Sequence, residues 1–465
     1  MVRRSVRETL AALVGRASDA EMTDEALACA FLAISTGEEL PALHLAVQTD
    51  CSEAIAALIK SGGVDVEAKF HGKTALHYAL GESGIARRKA CVEALIAGGA
   101  DVDAAMDAEE GDSEENSWKG TPPIIVALRR RQRPLALCAA LIAAGCDVNG
   151  SSDGLYVHPS PLHEAAEAGQ VECIVALVEA SADINARETY INARALAGWT
   201  PLHLAAHFGH FEVVQKLLSL GADCTIPDKD GQTPLSIAAT TETSGKSNLL
   251  LRHERHTGTV RALLEAEKAA GTSSLDAPDK DGFTPLHYAA HSGNRWCINA
   301  LIEAGSDLSC QTTGKTNYYR FGGLTPLHCA IGGDDNDDDD DDENRAKCVA
   351  ALLKAGAPTD LRDHSFCTPL QFAAVNAMPE CAGVLVAAEK RGFLSTLLAD
   401  RLPLPKDLQL VVVDFVMSLD GELGEFTDSE SDDSDEEASE EAESDDDAND
   451  DDEERTVESD ATGDY

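Results

Sequence analysis

Aromatic residues are scarce, only 5% of the chain. That is too few for the core of a β-sandwich or barrel and suits a helical protein built on alanine and leucine. Basic residues are also short: 37 stand against 82 acids, for a formal net charge of −45. Such a balance speaks against direct nucleic-acid binding and favours basic partners, or solubility alone. No apolar run approaches the roughly 18 residues of a membrane span, so no membrane association is expected. The apolar stretch from Leu10 to Val14 is too short for a signal peptide and runs into Arg16 and Asp19. The 13 cysteines include no C-x-x-C pair. Free thiols in that number fit a reducing compartment, so the expected location is cytoplasmic and/or nuclear.

The acid is concentrated. Between Asp428 and Tyr465 there are 21 acids and one base, and Asp334 to Glu343 holds nine more. What is left is a mildly acidic surface of an ordinary kind. With 43% hydrophobic residues, the chain can build a core.

One motif recurs along most of the length. Thr200-Pro201-Leu202-His203-Leu204-Ala205-Ala206 returns as Thr284-Pro285-Leu286-His287-Tyr288-Ala289-Ala290. Further copies begin at Ser160 and Thr325, and looser ones at Leu40, Thr74, Thr121, Thr233 and Thr368. A second motif follows each copy, as in Leu217-Leu218-Ser219-Leu220-Gly221-Ala222-Asp223. Two motifs repeated in fixed order resemble the ankyrin repeat. The resemblance implies an all-α solenoid: helix–turn–helix repeats joined by hairpin fingers and stacked side by side. The residues agree. Threonine suits a helix N-cap, proline its first turn, and Gly221 a left-handed stop.

Nine repeats span residues 40–392, at intervals from 33 to 51 residues. The excess falls in two kinds of place. Ala105–Gly120, Glu188–Ala197 and Gln311–Gly323 lengthen fingers; Gly81–Ala90, Thr240–Gly258 and Gly332–Arg345 lengthen the turn between paired helices. The acidic run from Asp334 therefore reads as a loop inside the eighth repeat. Residues 1–39 read as N-terminal capping helices, 393–420 as a C-terminal capping helix region, and 421–465 as a disordered acidic tail.

Tests for chemistry fail. The strings at Gly72, Gly245 and Gly314 begin like phosphate loops, but the required earlier glycine is replaced by Glu67, Thr240 and Ser309. His163-Glu164 opens like a metalloprotease motif, yet the second histidine position holds Glu167. No enzyme, cofactor or metal site is expected. His44, His77, His163, His203, His287 and His328 fill one repeat position, which points to hydrogen bonds between neighbouring turns. Cys91, Cys173, Cys297, Cys348 and Cys381 align with Val213, as small buried hydrophobes would.

What remains is recognition of another protein. The resemblance implies contact through the concave side of the first helices and through the finger tips. The matching residues are Leu196, Trp199, His207 and Phe208 in the fifth repeat, and Lys280, Phe283, His291 and Ser292 in the seventh. Tyr318, Tyr319, Phe321 and Leu324 lead into the eighth. Aromatics exposed on a rigid face are the usual anchors of an interface. Residues 404–416 resemble the opening helix of an F-box, which implies a second possibility, a substrate adaptor of a cullin-type ubiquitin ligase. The acidic tail admits a third, a chaperone for basic proteins such as histones.

Overall fold

The computed structural model describes residues 40–81, 85–107, 119–129, 134–150, 159–187, 198–240, 249–313, 322–332, 341–376 and 378–399. The chain divides into two compact units, Met1–Thr396 and Leu397–Tyr465. Of the second, only the last residues of one helix are described. The expected N-terminal capping helices, the C-terminal capping region from residue 400 on, the F-box-like stretch and the acidic tail lie outside the described residues.

Within the first unit, helices come in pairs. They are α1 (Ala42–Gln48) with α2 (Ser52–Lys60), α3 (Ala75–Gly81) with α4 (Ile85–Ala97), and α5 (Pro123–Leu128) with α6 (Pro134–Ala143). Next come α7 (Pro161–Glu167) with α8 (Val171–Glu179), α9 (Pro201–His207) with α10 (Phe211–Ser219), and α11 (Pro234–Ala239) with α12 (Leu249–Ala270). The last three pairs are α13 (Pro285–His291) with α14 (Arg295–Ala304), α15 (Pro326–Ile331) with α16 (Asp341–Lys354), and α17 (Pro369–Val375) with α18 (Pro379–Ala399). In the finger that opens the second repeat, a two-stranded hairpin of β1 (Lys69–Phe70) and β2 (Lys73–Thr74) is antiparallel. Each first helix packs on the first helix of the next repeat, and the second helices stack likewise from α2 to α16. No pair could bury its apolar stripe alone. Stacking covers Leu45, Ile55, Leu76, Leu162 and their equivalents completely, each burial contributing about 2 kcal/mol.

The helix starts follow from the motif. Thr200, Thr284, Thr325 and Thr368 are N-caps in extended backbone, with proline at the next position. Proline there loses nothing, because the N–H it lacks would have no partner inside the helix. The ends follow too: Gly99, Gly145, Gly221, Gly305 and Gly356 all adopt φ near +90° after a second helix.

Three expectations need correction. The third repeat starts one residue later than the string Thr121-Pro122-Pro123 suggests. Pro122 is the N-cap of α5, and Thr121 fills the buried position just before it. A proline at the cap and another at the first turn are both tolerated, and that shifts the register. The insertions between paired helices are also not simply loops. Ile85, Leu249 and Asp341 already begin the second helices of repeats two, six and eight. Residues such as Ala86, Arg87 and Leu249–Leu251 favour helix, so the extra length prolongs α4 and α12 at their N-termini. In the eighth repeat the last acids of the run, Asp341 to Glu343, form the first turn of α16, where the helix dipole favours negative charge. The boundary expected at residue 392 falls inside α18.

Candidate functional site

The six aligned histidines do one job. Each donates from Nε2 to the carbonyl just before the next repeat's N-cap: His44 to Lys73, His77 to Thr121, His163 to Trp199, His203 to Gln232, His287 to Leu324 and His328 to Cys367, at 2.9–3.2 Å. Five of them turn Nδ1 back to their own cap hydroxyl at 2.7–2.8 Å, on Thr74, Ser160, Thr200, Thr284 and Thr325. Thr200, Thr284 and Thr325 also donate their backbone N–H to Nδ1. Because Nδ1 accepts an N–H there, the ring carries its proton on Nε2 and is neutral. Burial lowers the pKa of His77, His163, His203 and His287 to about 4. A glutamate or glutamine usually closes such a box; histidine closes it and also reaches the neighbouring repeat. The aligned thiols are equally structural: Cys91, Cys173, Cys297, Cys348 and Cys381 are buried. Burial pushes Cys91 and Cys297 up to about 12, so they stay protonated and poorly nucleophilic. Among the described residues no grouping of three histidines, cysteines or acids could hold a metal ion, and no helix is long and apolar enough to cross a membrane.

The residues expected to contact a partner separate into three groups. Leu196, Tyr318, Tyr319 and Phe321 lie outside the described residues. Trp199 and Phe283, read as exposed anchors, are each only 5% exposed. Trp199 sits just before its N-cap and passes its indole N–H to Asp228 Oδ2 of the next finger at 3.0 Å. Phe283 occupies the same position in the seventh repeat and packs on His287 and Tyr288. The position before the cap is turned into the stack, where the next finger closes over it. Leu324 is buried there as well, and Ser292 is buried with its hydroxyl donating to Ala239 O at 3.1 Å.

The third group is accessible. Phe208, at the C-cap of α9, is 43% exposed. Its ring stands edge-on to His207 at 4.9 Å and stacked with His210 at 6.0 Å. His207 in turn meets Trp199 edge-on at 5.2 Å. His291 ends α13 at the equivalent of His207 and is half-buried. Lys280 projects from the seventh finger with Nζ 3.7 Å from Asp230. His207 and Phe208 rest on the buried Trp199, so an anchor here loses little freedom on binding.

Finger geometry contributes residues that the sequence reading missed. Asp228 Oδ1 accepts the N–H groups of Asp230 and Gln232, and Asp279 Oδ1 those of Asp281 and Phe283. Tyr288 donates to Asp279 Oδ2 and accepts from Gln232 Nε2, both at 2.5 Å. Burial raises the pKa of Asp228 and Asp279 despite these bonds. A further ladder links finger to finger: Asp101 N–H to Glu67, Asp147 to Asp103, Asp183 to Asn149 and Asp223 to Asn185, at 2.8–2.9 Å. The repeated Asp-x-Asp and Asp-x-Asn pairs, and Asp-Lys-Asp-Gly twice over, are the signal that could have revealed them.

Comparison with known proteins agrees with this geometry. Family models of ankyrin repeats match residues 162–218, 8–106 with 250–312, and 322–364, together more than half of the chain. An ankyrin repeat domain-containing protein, SAT10, of Stachybotrys chartarum is 26% identical over 64% of this chain and 16% of its own length. The nuclear factor NF-kappa-B p105 subunit of Gallus gallus is 29% identical over 47% of this chain and 19% of its own. Human protein phosphatase 1 regulatory subunit 27 is 42% identical over 17% of this chain and 48% of its own. The chain thus spans less than half the length of these relatives. Its repeats, their caps and the family matches coincide: the chain belongs to the ankyrin repeat family.

Proposed function

We propose that the chain is a non-enzymatic, intracellular scaffold or adaptor that binds another protein across the first helices and fingers of repeats five to seven. The observation that carries this reading is Phe208, a large aromatic left half-exposed while Trp199 and Phe283, each at the position before an N-cap, are buried. Lys280 and His291 add polar groups from the seventh repeat, and burial of the aligned histidines and cysteines leaves them no catalytic role. Relatives that include a phosphatase regulatory subunit support a regulatory interaction role. The ubiquitin-ligase reading draws support from a relative, the E3 ubiquitin-protein ligase XBAT33 of Arabidopsis thaliana, 32% identical over 33% of this chain.

Affinity capture with quantitative mass spectrometry tests the proposal, using the whole chain and a Phe208→Ala, Lys280→Glu variant. The variant should keep its helical circular dichroism and lose its specific partner, since removing a true anchor costs about 2 kcal/mol or more. Equal capture by both chains sinks the reading. Cullin or adaptor peptides retained by both would move the function to residues 404–416.

A further inference from the structure

In the finger ladder, the side chains of Glu67, Asp103, Asn149 and Asn185 each accept a backbone N–H of the next finger. After three of these acceptors stands an alanine, whose N–H turns back to the carbonyl three residues earlier. Ala68 donates to Asp65, Ala104 to Asp101 and Ala186 to Asp183, at 3.1–3.4 Å. That bond closes the turn and pins the amide that follows the acceptor.

Asn149 breaks the pattern. Gly150 follows it with φ 77°, and the Gly150 N–H makes no hydrogen bond among the described residues. Both residues are exposed. A Cβ on Gly150 would meet nothing closer than 3.8 Å, so it is the left-handed backbone, not packing, that asks for glycine. No other Asn-Gly pair occurs in the chain. The nitrogen of Gly150 can therefore swing toward Asn149 Cγ without first giving up a partner there, and no side chain stands beside it. The group it would attack is already polarised. Asn149 Oδ1 accepts the Asp183 N–H at 2.8 Å, and this donor faces the oxygen that turns negative as the nitrogen adds.

We propose that Asn149–Gly150 is a self-modifying site, at which the folded chain deamidates. The Gly150 nitrogen bonds to Asn149 Cγ and closes a five-membered imide. Its proton passes through solvent to Nδ2 as the Cγ–Nδ2 bond breaks, and ammonia leaves. Water then opens the imide. Cleavage at Cγ leaves aspartate; cleavage at the backbone carbonyl leaves isoaspartate, with the main chain running through Cγ. One water is consumed and one ammonia released, with no change in oxidation state. The two products differ in effect. Aspartate keeps the ladder, since Asp103 holds the Asp147 N–H in the same way at 2.8 Å. Isoaspartate lengthens the main chain by a methylene and draws the acceptor carbon into it. The Asp183 N–H then loses its acceptor, and the fingers that open the fourth and fifth repeats lose their link. The site does not depend on the proposed partner surface.

The test is to age the whole folded chain at neutral and mildly alkaline pH, then map deamidation and isoaspartate by peptide mass spectrometry. Asn185 is the internal control: it holds the same place in the ladder, but its following amide is pinned. Modification should appear at Asn149, faster at the higher pH because the attacking amide must lose its proton. It should run about tenfold faster than at Asn185, which has one more hydrogen bond to break. Hydrogen exchange should show the Asp183 amide unprotected in the isoaspartyl fraction and still protected in an Asn149→Asp variant. Equal rates at Asn149 and Asn185, or modification of Asn149 only after unfolding in urea, overturn the proposal. An Asp183 amide that stays protected in the isoaspartyl form would overturn the loss of the link.

Discussion

The junctions between repeats are of two kinds. Six are tied by a histidine; two, from the third repeat to the fourth and from the sixth to the seventh, are not. Ile125 and Ser236 stand at the histidine position in repeats three and six, and Gln371 stands there in repeat nine. Every third repeat lacks the link, so the ladder divides the array into three blocks of three. The unlinked junctions are bridged otherwise. Arg129 grips Glu164 at 2.7–3.1 Å, and Gln170 reaches the carbonyl of Leu128 at 2.7 Å. Between six and seven, Gln232 meets Tyr288. Gln371 is instructive: its Oε1 still accepts the Thr368 N–H at 3.0 Å, closing the box, but the side chain is exposed and passes nothing on among the described residues. A histidine is needed only where another repeat follows to receive its second nitrogen.

Acid should expose the difference most strongly. The folded pKa of four linking histidines is about 4, below the ordinary value of 6.5. The unfolded chain therefore binds more protons between those values. The stability from neutral histidine is present above pH 6.5 and is lost as pH falls toward 4, by about 3 kcal/mol for each ring. Asp228, Asp279 and Glu267 have raised values and act in the opposite sense at lower pH. Urea melts at pH 7 and pH 5 measure the balance; equal midpoints would break the argument.

Next in size is Trp199→Ala. It removes a buried ring and strips Asp228 of its donor inside the middle block, a loss of about 4 kcal/mol. Phe208→Ala in the same repeat should cost well under half of that, because the ring is half-exposed. Thermal melts of the two variants side by side decide whether burial or repeat identity governs.

His203→Gln sharpens the comparison further. It keeps the cap and removes the link to the sixth repeat, so it should cost about 1–2 kcal/mol, and most of that cost should vanish at pH 4. Ser236→Ala, at an unlinked junction, should cost less than His203→Gln. Equal losses would mean that the ladder carries no special weight.

The smallest effect concerns local opening. Hydrogen exchange should show the weakest protection in the helices flanking the unlinked junctions, α5 to α8 and α11 to α14. Protection that is uniform across all eight junctions would deny the block structure.

Much of this was legible in the residues. Two motifs in fixed order give nine helix pairs, because threonine, proline and glycine act through local backbone chemistry that needs no distant partner. The shared histidine and cysteine positions gave their structural roles for the same reason: a residue recurring at one register meets one environment. The identity of the exposed aromatics was not legible. Trp199, Phe208 and Phe283 are alike as residues, but the position before the N-cap is buried by the stack, whereas Phe208 follows α9 at its C-cap and stays half-exposed. That depends on contacts between repeats rather than on periodicity within one. Likewise the inserted residues declared their excess length, while the packing of α4, α12 and α16 decided that part of it would be helix. The sequence by itself determined the repeat and its caps, set by interactions within a few residues. Only the tertiary structure decided which faces were left open, because exposure is a property of the whole stack.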